Sequence, residues 1–321
     1  DTPTSTEPRQ EAQRDLFSQS PEIQVIAGMR SINDVPHKYI LIDDKVKRAG
    51  LITKLFTQKS VCFDTETTGI DVFTADLVGL SFCFTAGEAY YVSLPAGRSE
   101  CLEVMKEFKA FFQSDQIQKI GQNIKFDLQM LASYGIQLRG NMFDTMIAHY
   151  LLQPELRHGM DYLAEVYLKY RTIHYEDLFA GKGKNQQDIR SVDLNRLCDY
   201  AAEDADITFQ LKQILETELS RNGLEKLFFE MEMPLLRVLA IMEQNGVRID
   251  IEALRQSSDI LTADMKLLEK EIHQLVGNEF NVGSPMQVGE VLFGQLKLDE
   301  KAKKTKTGQY STSEDVLEKL R

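Results

Sequence analysis

Two acidic residues lie at the end of a β-rich run in the first quarter of the sequence. The run reads SVCFDTETTG, in which Asp64 and Glu66 are separated by a single threonine. In a β-strand, residues i and i+2 project from the same face, so both carboxylates would point in one direction at the end of the strand. The Thr-Thr-Gly that follows ends the strand and leaves that face open. Taken alone, the pair is also typical of a solvated strand end.

Three further candidates lie on predicted helices. Asp127, at the end of GQNIKFD, falls in the first turn of a helix, where a carboxylate also complements the helix dipole. Tyr200 and Asp204, in the segment YAAEDAD, occupy positions i and i+4, so the hydroxyl and the carboxylate share one helix face. Glu203 and Asp206 fall on other faces of this helix, and we expect both to be solvated acids.

A cluster of these four carboxylates would be unfavourable without bound cations. Two such charges about 4 Å apart repel by roughly 4 kcal/mol at an effective dielectric constant near 20. Ligation by oxygen alone selects Mg²⁺ or Mn²⁺ rather than Zn²⁺. Paired divalent ions commonly serve the hydrolysis of phosphodiesters. The four acids therefore indicate a divalent-metal site with nuclease chemistry.

The composition is that of an ordinary globular protein. The chain has 321 residues, enough for about two domains, and a hydrophobic share of 43%. With 37 basic and 49 acidic residues the net charge is −12, which argues against a protein that coats duplex nucleic acid through a broad basic face.

No apolar run approaches the length of a membrane span and no signal peptide is evident, so we expect a cytoplasmic protein without a membrane partner. We expect the four cysteines to be reduced and buried, since none forms a CxxC pair.

The spacing of apolar residues predicts an α/β fold over the first two thirds of the chain. Five strands are expected, over residues 39–43, 60–66, 77–84, 89–94 and 118–121. A four-residue turn joins the third strand to the fourth, so the second to fourth strands form an antiparallel meander. Helices are expected over residues 44–58, 100–113, 125–134, 144–152, 159–169 and 193–221. After residue 222 the pattern is that of amphipathic helices only, over residues 225–244, 251–276, 284–296 and 313–320.

The three acidic segments also resemble a known family. FDTETTG, GQNIKFD and YAAEDAD, in this order, are similar to the exonuclease motifs of family A bacterial DNA polymerases, in the Asp-Glu-Asp-Asp class that carries a tyrosine. The likeness runs from about residue 40 to the C-terminus and includes AGKGKNQ and KKTKTGQYSTSEDVLEKL. It implies a ribonuclease H-like mixed five-stranded sheet with flanking helices, followed by an all-helical partial thumb. The implied division is a disordered linker over 1–22, a 3′-5′ exonuclease domain over 23–221 and the start of a polymerase domain over 222–321.

The resemblance implies a catalytic role for each of the five candidates. Asp64, Glu66 and Asp204 would hold an inner Mg²⁺ or Mn²⁺ ion, and Asp64 would also contact a second ion. Asp127 would support that second ion through water, and Tyr200 would orient the attacking water together with Glu66. The cofactors implied are therefore two divalent cations.

The resemblance also implies contacts with the substrate. Ile70 stands where the family has an apolar wedge, commonly leucine, between the last two bases, and Gln122, Asn123 and Arg157 match polar contacts to the terminal nucleotides. Tyr175 would offer a stacking face, although an extra residue before AGKGKNQ leaves its alignment ambiguous. Ordinary packing is the alternative interpretation of Ile70 and Tyr175.

The expected reaction is hydrolysis at the 3′ end of single-stranded or frayed DNA, with release of nucleotide monophosphates. We expect a monomer without polymerase activity, because the palm and fingers that would follow the thumb in the same polypeptide are not in this sequence. Two alternatives stay open at this point. One is a catalytically silent exonuclease fold that positions a polymerase domain, and the other is an RNA 3′-exonuclease of the same superfamily.

Overall fold

The computed structural model of the chain describes residues 28–179, 188–305 and 308–320. The linker expected over residues 1–22, the AGKGKNQ loop and Lys306 lie outside the described residues. The described part divides into two compact units, one that ends at Gly246 and one that begins at Val247.

A six-stranded mixed sheet forms the centre of the first unit. Its strands are β1 Lys38–Ile42, β2 Ser60–Thr67, β3 Leu77–Thr85, β4 Glu88–Ser93, β5 Gln118–Gly121 and β6 Met142–Asp144. They lie in the order β1-β4-β3-β2-β5-β6. The pairs β2/β3 and β3/β4 are antiparallel, whereas β1/β4, β2/β5 and β5/β6 are parallel. The antiparallel meander and the ribonuclease H-like α/β class are both confirmed.

The expected count of five strands is wrong. The additional strand, β6, has three residues and pairs in parallel with β5 through Gly121 and Asp144. Three residues contain less than two periods of an alternating pattern, so such a strand leaves no signal in the sequence. Its pairing instead depends on a neighbour about twenty residues earlier in the chain, and only the tertiary structure shows it.

Helices cover both faces of the sheet. Those of the first unit are α1 Lys45–Leu55, α2 Arg98–Phe112, α3 Ile124–Ser133, α4 Thr145–Leu152, α5 Met160–Leu163, α6 Leu194–Arg221, α7 Glu225–Leu227 and α8 Met233–Asn245. Single π-helical stretches follow α5 and α7, and short 3₁₀ turns lie at Tyr175–Leu178 and Ile189–Ser191. The expected helices over 159–169 and 225–244 are thus helical as predicted, and each contains one π-helical stretch.

An aromatic core fills the space between the sheet and α2. Apolar residues recur on α2 at helical spacing, and Phe108, Phe111 and Phe112 are fully buried. Phe108 stacks on Phe82 of β3 with ring centroids 5.5 Å apart, and Phe112 meets Phe63 of β2 edge-on at 5.1 Å. Burial of each such ring contributes roughly 1.5–3 kcal/mol. This core supports β2 from the face opposite to Asp64 and Glu66, because residues 63 and 64 alternate across the sheet. All four cysteines are unpaired and buried, as expected.

The first unit continues past the boundary expected at residue 221. Helix α8 packs against α3, and Glu243 near its end accepts hydrogen bonds from Lys125 at 2.5 Å and from Gln129 at 2.8 Å. Arg237 donates to the backbone carbonyl groups of Leu138 and Gly140. These contacts hold residues 225–245 on the sheet-bearing unit, so compactness places the end of the unit at Gly246.

The second unit is helical in its described residues, apart from one isolated β-bridge between Lys304 and Tyr310. Its helices are α9 Ile251–Val276, α10 Pro285–Gly289 and α11 Glu314–Glu318, with a π-helical stretch at Glu290–Gln295. Asp250 caps α9 by accepting from the backbone N–H of Ala253 at 3.0 Å. Within the described ranges, no helix is both long enough and apolar enough to cross a bilayer.

Candidate active site

Three carboxylates meet where β2 ends against α6. Oxygen atoms of Asp64, Glu66 and Asp204 all lie within 4.8 Å of one another. Glu66 is 6% exposed, and the other two are half-buried. The shared face expected for residues 64 and 66 is thereby confirmed, and α6 delivers Asp204 to that same face.

Small residues allow α6 to lie close to the sheet. Ala201, Ala202 and Ala205 are fully buried and flank Asp204 on the helix. Their methyl groups let the helix backbone approach β2 and β3 more closely than larger side chains would. The helix begins at a capped end, where the Asp193 carboxylate accepts from the backbone N–H groups of Asn195 and Arg196 at 3.1 Å. The sequence of α6 therefore sets both its start and its distance from the sheet.

Burial and mutual repulsion disfavour the ionised form of the three carboxylates when no cation is bound. Burial raises the pKa of Glu66 well above its usual value, and the charge of Asp64 raises it further. The pKa of Asp204 is raised by burial first and then by the charges of Asp64 and Glu66. Burial also raises the pKa of Asp64, to about 7. A bound cation would reverse this effect, because it favours the ionised form of every ligand.

The donor atoms fit a divalent cation. Glu66 Oε1 and Asp204 Oδ1 are buried and have no hydrogen-bond partner among the described residues. A buried oxygen without a partner is unfavourable, and such an oxygen commonly binds an ion or an ordered water. The donors are all oxygen, a set that suits Mg²⁺ or Mn²⁺. The cluster is therefore able to hold a metal ion of this class.

The Tyr200 hydroxyl faces the same cluster. Its pKa is raised by burial and then by the negative charges of Asp204, Glu66 and Asp64. The hydroxyl consequently keeps its proton at neutral pH and acts as a donor toward the site. The ring of Tyr175 lies next to it, with centroids 6.4 Å apart and planes inclined at 67°. Of the expected substrate residues, Tyr175 is thus brought beside the catalytic candidates.

Asp127 lies beside the cluster but is not one of its three members. Its Oδ1 atom accepts from the backbone N–H of Thr65 at 3.0 Å and from the Thr65 hydroxyl at 2.6 Å. The pairing of β5 with β2 ends at Cys62. Past that point the backbone N–H of Thr65 is not paired with β5, and it donates to Asp127 instead. Burial and then the charge of Asp64 raise the pKa of Asp127 well above its usual value. Thr65 therefore links the two acids on β2 to the second acidic segment, GQNIKFD.

Sequence reasoning did not identify Asp144, whose carboxylate positions the first turns of α3 and α4. Its carboxylate caps α4 by accepting from the backbone N–H groups of Met146 and Ile147, and it also accepts from Ile124 at the start of α3. One buried side chain thus holds the first turns of two helices, and α3 is the helix that carries Asp127. An aspartate before TMIAHYLL is an N-cap signal that could have revealed it.

The remaining substrate candidates lie at the rim of the site region or outside it. Ile70 is 93% exposed on the loop after β2, and Arg157 is exposed. Gln122 donates to the carbonyl of His158 at 2.7 Å, which links it to the loop that carries Arg157. Asn123 is exposed, with a left-handed backbone conformation (φ 56°) at the N-cap of α3. Their contact with a substrate stays a prediction.

The expectation that Glu203 is a solvated acid is wrong. Its side chain is fully buried, where it accepts from the Tyr170 hydroxyl and from the backbone N–H of Ile173, both at 2.6 Å. The helix period showed correctly that Glu203 points away from Asp204. It could not show that the segment around Tyr170 covers that second face of the helix.

The same correction applies to Asp206, which is 3% exposed. Its carboxylate accepts from the Tyr39 hydroxyl at 3.0 Å and from the backbone N–H of Gly87 at 2.9 Å. These bonds connect α6 to β1 and to the turn between β3 and β4. With Glu203 they anchor the back of the helix whose front carries Tyr200 and Asp204.

We expect Glu203→Ala to lower the free energy of unfolding by about 1–3 kcal/mol, because it leaves the buried Tyr170 hydroxyl and the Ile173 N–H without an acceptor. Urea denaturation followed by circular dichroism would measure the change. Glu203→Gln retains an amide oxygen as acceptor and should lose less. A Glu203→Ala variant within about 0.5 kcal/mol of the parent, the range of ordinary surface substitutions, would contradict the anchoring role.

Two family models and several curated proteins match this chain. The family model described as 3′-5′ exonuclease matches residues 39–220, and that of DNA polymerase family A matches residues 251–321. The chain is 36% identical to a DNA polymerase I of Borreliella burgdorferi over 96% of its length and 34% of that relative. It is 40% identical to a DNA polymerase I of Pseudomonas aeruginosa over 88% of its length and 32% of that relative. The chain thus spans about a third of the length of these curated relatives.

A solved structure shares the fold. The structure described as the POL domain of Pol1 from M. smegmatis in complex with DNA primer-template and dNTP aligns with a TM-score of 0.69. The alignment covers 88% of this chain and 45% of that chain, at 24% identity. The exonuclease match spans more than half of the sequence and includes all three acidic segments. The chain therefore belongs to the 3′-5′ exonuclease family that accompanies family A DNA polymerases, and residues 39–220 are its exonuclease domain.

Proposed function

We propose that this chain removes nucleotides from the 3′ end of DNA by two-metal hydrolysis and releases 5′-mononucleotides. The observation that supports this proposal most directly is the cluster of Asp64, Glu66 and Asp204, with two buried oxygens that have no partner among the described residues. The cluster lies in a domain of the 3′-5′ exonuclease family, whose members hydrolyse nucleic acid from the 3′ end.

The positions of the side chains support the following proposed roles. Asp64, Glu66 and Asp204 would hold the inner cation, and Asp64 would also contact the second. The Asp127 bonds to Thr65 both use Oδ1, and we assign its Oδ2 atom to support of the second cation through water. When bound, two Mg²⁺ or Mn²⁺ ions activate the attacking water and stabilise the leaving 3′-oxygen.

Tyr200 supplies orientation rather than activation. Its protonated hydroxyl faces the carboxylates and can donate to the attacking water, or to the phosphate oxygen beside it. Glu66, the most buried of the three acids, would accept from the same water. A nucleophile held between one donor and one acceptor keeps its lone pair directed at phosphorus.

The substrate would enter from the exposed rim. In this proposal Ile70 inserts between the terminal bases, because a 93% exposed isoleucine has its apolar surface available for stacking. Gln122, Asn123 and Arg157 contact the terminal nucleotides, and Tyr175 offers a ring face next to Tyr200. A single-stranded or frayed end suits such a site, since the bases must be unpaired to be separated.

The wider context of the domain is also a proposal. We assign residues 222–321 to the helical beginning of a polymerase thumb, supported by the family A match over residues 251–321. The relatives are about three times as long as the matched region, so palm and fingers of the same polypeptide are the proposed partners. We propose that the chain acts as a monomer in the cytoplasm.

Incubation with 5′-labelled oligonucleotides would test the proposal. With Mg²⁺ we expect stepwise shortening of single-stranded DNA from its 3′ end. With EDTA we expect none, because the proposed activation of the attacking water requires the bound cations. A matched RNA of the same sequence is the control. Faster loss of the RNA would favour the RNA 3′-exonuclease alternative, and no degradation of either would favour a catalytically silent fold.

A further inference from the structure

Two hydroxyl groups are buried without a partner next to the carboxylate cluster. Among the described residues, Ser81 Oγ and the Tyr91 hydroxyl have no hydrogen-bond partner. Ser81 lies directly opposite Asp64 in the β2/β3 pair and opposite Tyr91 in the β3/β4 pair. Residues directly opposite one another share a face of the sheet, so both hydroxyls lie on the face that carries the cluster.

The neighbouring glycine brings the Tyr91 hydroxyl close to Glu66. Gly79 pairs directly with Glu66 across β2 and β3. A Cβ atom placed on Gly79 would lie 2.2 Å from Tyr91 Cε2 and 2.3 Å from the Tyr91 hydroxyl oxygen. The tyrosine therefore occupies the space where a side chain at position 79 would stand. Opposite Cβ atoms in such a pair are about 4.5–5.5 Å apart, so the hydroxyl lies beside the stem of Glu66.

Electrostatics agree with this placement. After burial, the charge of Glu66 is the next cause that raises the pKa of Tyr91. The hydroxyl thus keeps its proton and is able to donate. Glu66 lies on the same face, and a carboxylate that binds an ion through one oxygen keeps its other oxygen as an acceptor.

Packing alone does not explain a tyrosine at this position. The ring of Tyr91 is fully buried against Leu197, Cys198 and Ala201 of α6, and phenylalanine would make the same apolar contacts. A buried hydroxyl without a partner costs about 1–3 kcal/mol relative to one that is paired. The Tyr91 hydroxyl is therefore expected to form a hydrogen bond when the site is occupied.

We propose that Tyr91 is a positioning residue for the metal site, an inference that rests on the proposed function. When a cation occupies the cluster, the Tyr91 hydroxyl donates to the Glu66 oxygen that does not bind the ion, directly or through one buried water shared with Ser81. That bond fixes the rotation of the carboxylate about its stem. Partners that hold a metal ligand in this way commonly change metal affinity by about 10–100-fold.

The test compares Tyr91→Phe with Tyr90→Phe in the full chain. Tyr90 is the adjacent tyrosine on the opposite face of β4, where its hydroxyl bonds Glu88 and accepts from Lys54 at 2.9 Å. Titration with Mn²⁺, followed by the electron paramagnetic resonance signal of free Mn²⁺, gives the affinity without any need for hydrolysis. We expect Tyr91→Phe to bind the ion roughly 10-fold more weakly, at the lower end of the range for such partners. Tyr90→Phe should bind it like the parent.

Melting temperatures in EDTA separate positioning from a structural role. Loss of an unpaired hydroxyl should leave the melting temperature of Tyr91→Phe unchanged or higher, whereas loss of a structural hydrogen bond would lower it. Unchanged Mn²⁺ affinity in Tyr91→Phe overturns the inference, and so does a parent chain that binds no Mn²⁺. A parent that binds Mn²⁺ but does not degrade DNA overturns the proposed function alone, and the Mn²⁺ affinities still decide the role of Tyr91.

Discussion

Asp204→Ala is expected to reduce hydrolysis of single-stranded DNA by roughly 10²–10³-fold, as removal of a group that organises transition-state charge does in other enzymes. Asp204 is the one member of the three-carboxylate cluster that comes from α6, and the other two come from β2. Without Asp204, the cluster would consist of the two acids on β2 alone. The inner cation would lose a ligand and its fixed position between strand and helix.

The fold should survive this change. Burial and the charges of Asp64 and Glu66 already disfavour the ionised form of Asp204, so its removal relieves repulsion in the metal-free chain. We therefore expect a melting temperature in EDTA equal to or above that of the parent. Mn²⁺ should raise the melting temperature of the variant less than that of the parent. A bound ion stabilises the folded state more when its affinity is higher, and the variant has lost a ligand.

Asp199→Ala provides the matched control. Asp199 lies on the same helix but is exposed and outside the cluster, so its loss should leave the rate of hydrolysis at the parent value. Quantitative gel assays of 5′-labelled DNA at saturating Mg²⁺ would measure all three chains. Hydrolysis by Asp204→Ala within about tenfold of the parent would contradict the metal-ligand assignment, because tenfold is only 1.4 kcal/mol of transition-state stabilisation.

Tyr200→Phe is expected to lower kcat on the order of 10²-fold while some activity persists, the range typical of a positioned polar group. The hydroxyl faces Asp204, Glu66 and Asp64, whose charges raise its pKa after burial. Activation of the water depends on the cation and not on this hydroxyl. Loss of the hydroxyl therefore removes orientation of the nucleophile but not the nucleophile itself.

The kinetic signature distinguishes this role from packing. The ring contact with Tyr175 stays in Tyr200→Phe, so the KM for DNA should change little while kcat falls. Mn²⁺ affinity should also match the parent, in contrast to the weaker binding expected for Tyr91→Phe. If Tyr200→Phe degraded DNA at the parent rate, Tyr200 would be a packing residue of α6 and not part of the catalytic machinery.

Local periodicity was sufficient to show which candidate residues of one element share a face. Asp64 and Glu66 share a face because side chains alternate along any strand, and Tyr200 and Asp204 share one because a helix turns every 3.6 residues. These relations depend on backbone geometry within a single element, so no distant contact can change them. The bounds of α9 at residues 251 and 276 and of β5 at 118 and 121 were predicted for the same reason.

Contacts between distant segments decided what periodicity could not. The helix period correctly placed Glu203 and Asp206 away from Asp204, but whether that second face meets water or protein depends on the chain around Tyr170 and Tyr39. The bond from Thr65 to Asp127 joins residues 62 positions apart.

The amino-acid sequence by itself thus determined which acids share a face, which elements carry them and which metal class their oxygens suit. Tertiary structure alone decided the sixth strand, the unit that ends at Gly246 and the place of Tyr91 beside Glu66. The physical reason is that an element's period follows from its own backbone dihedral angles. Burial and the partner of a polar group instead depend on segments brought together only when the chain folds.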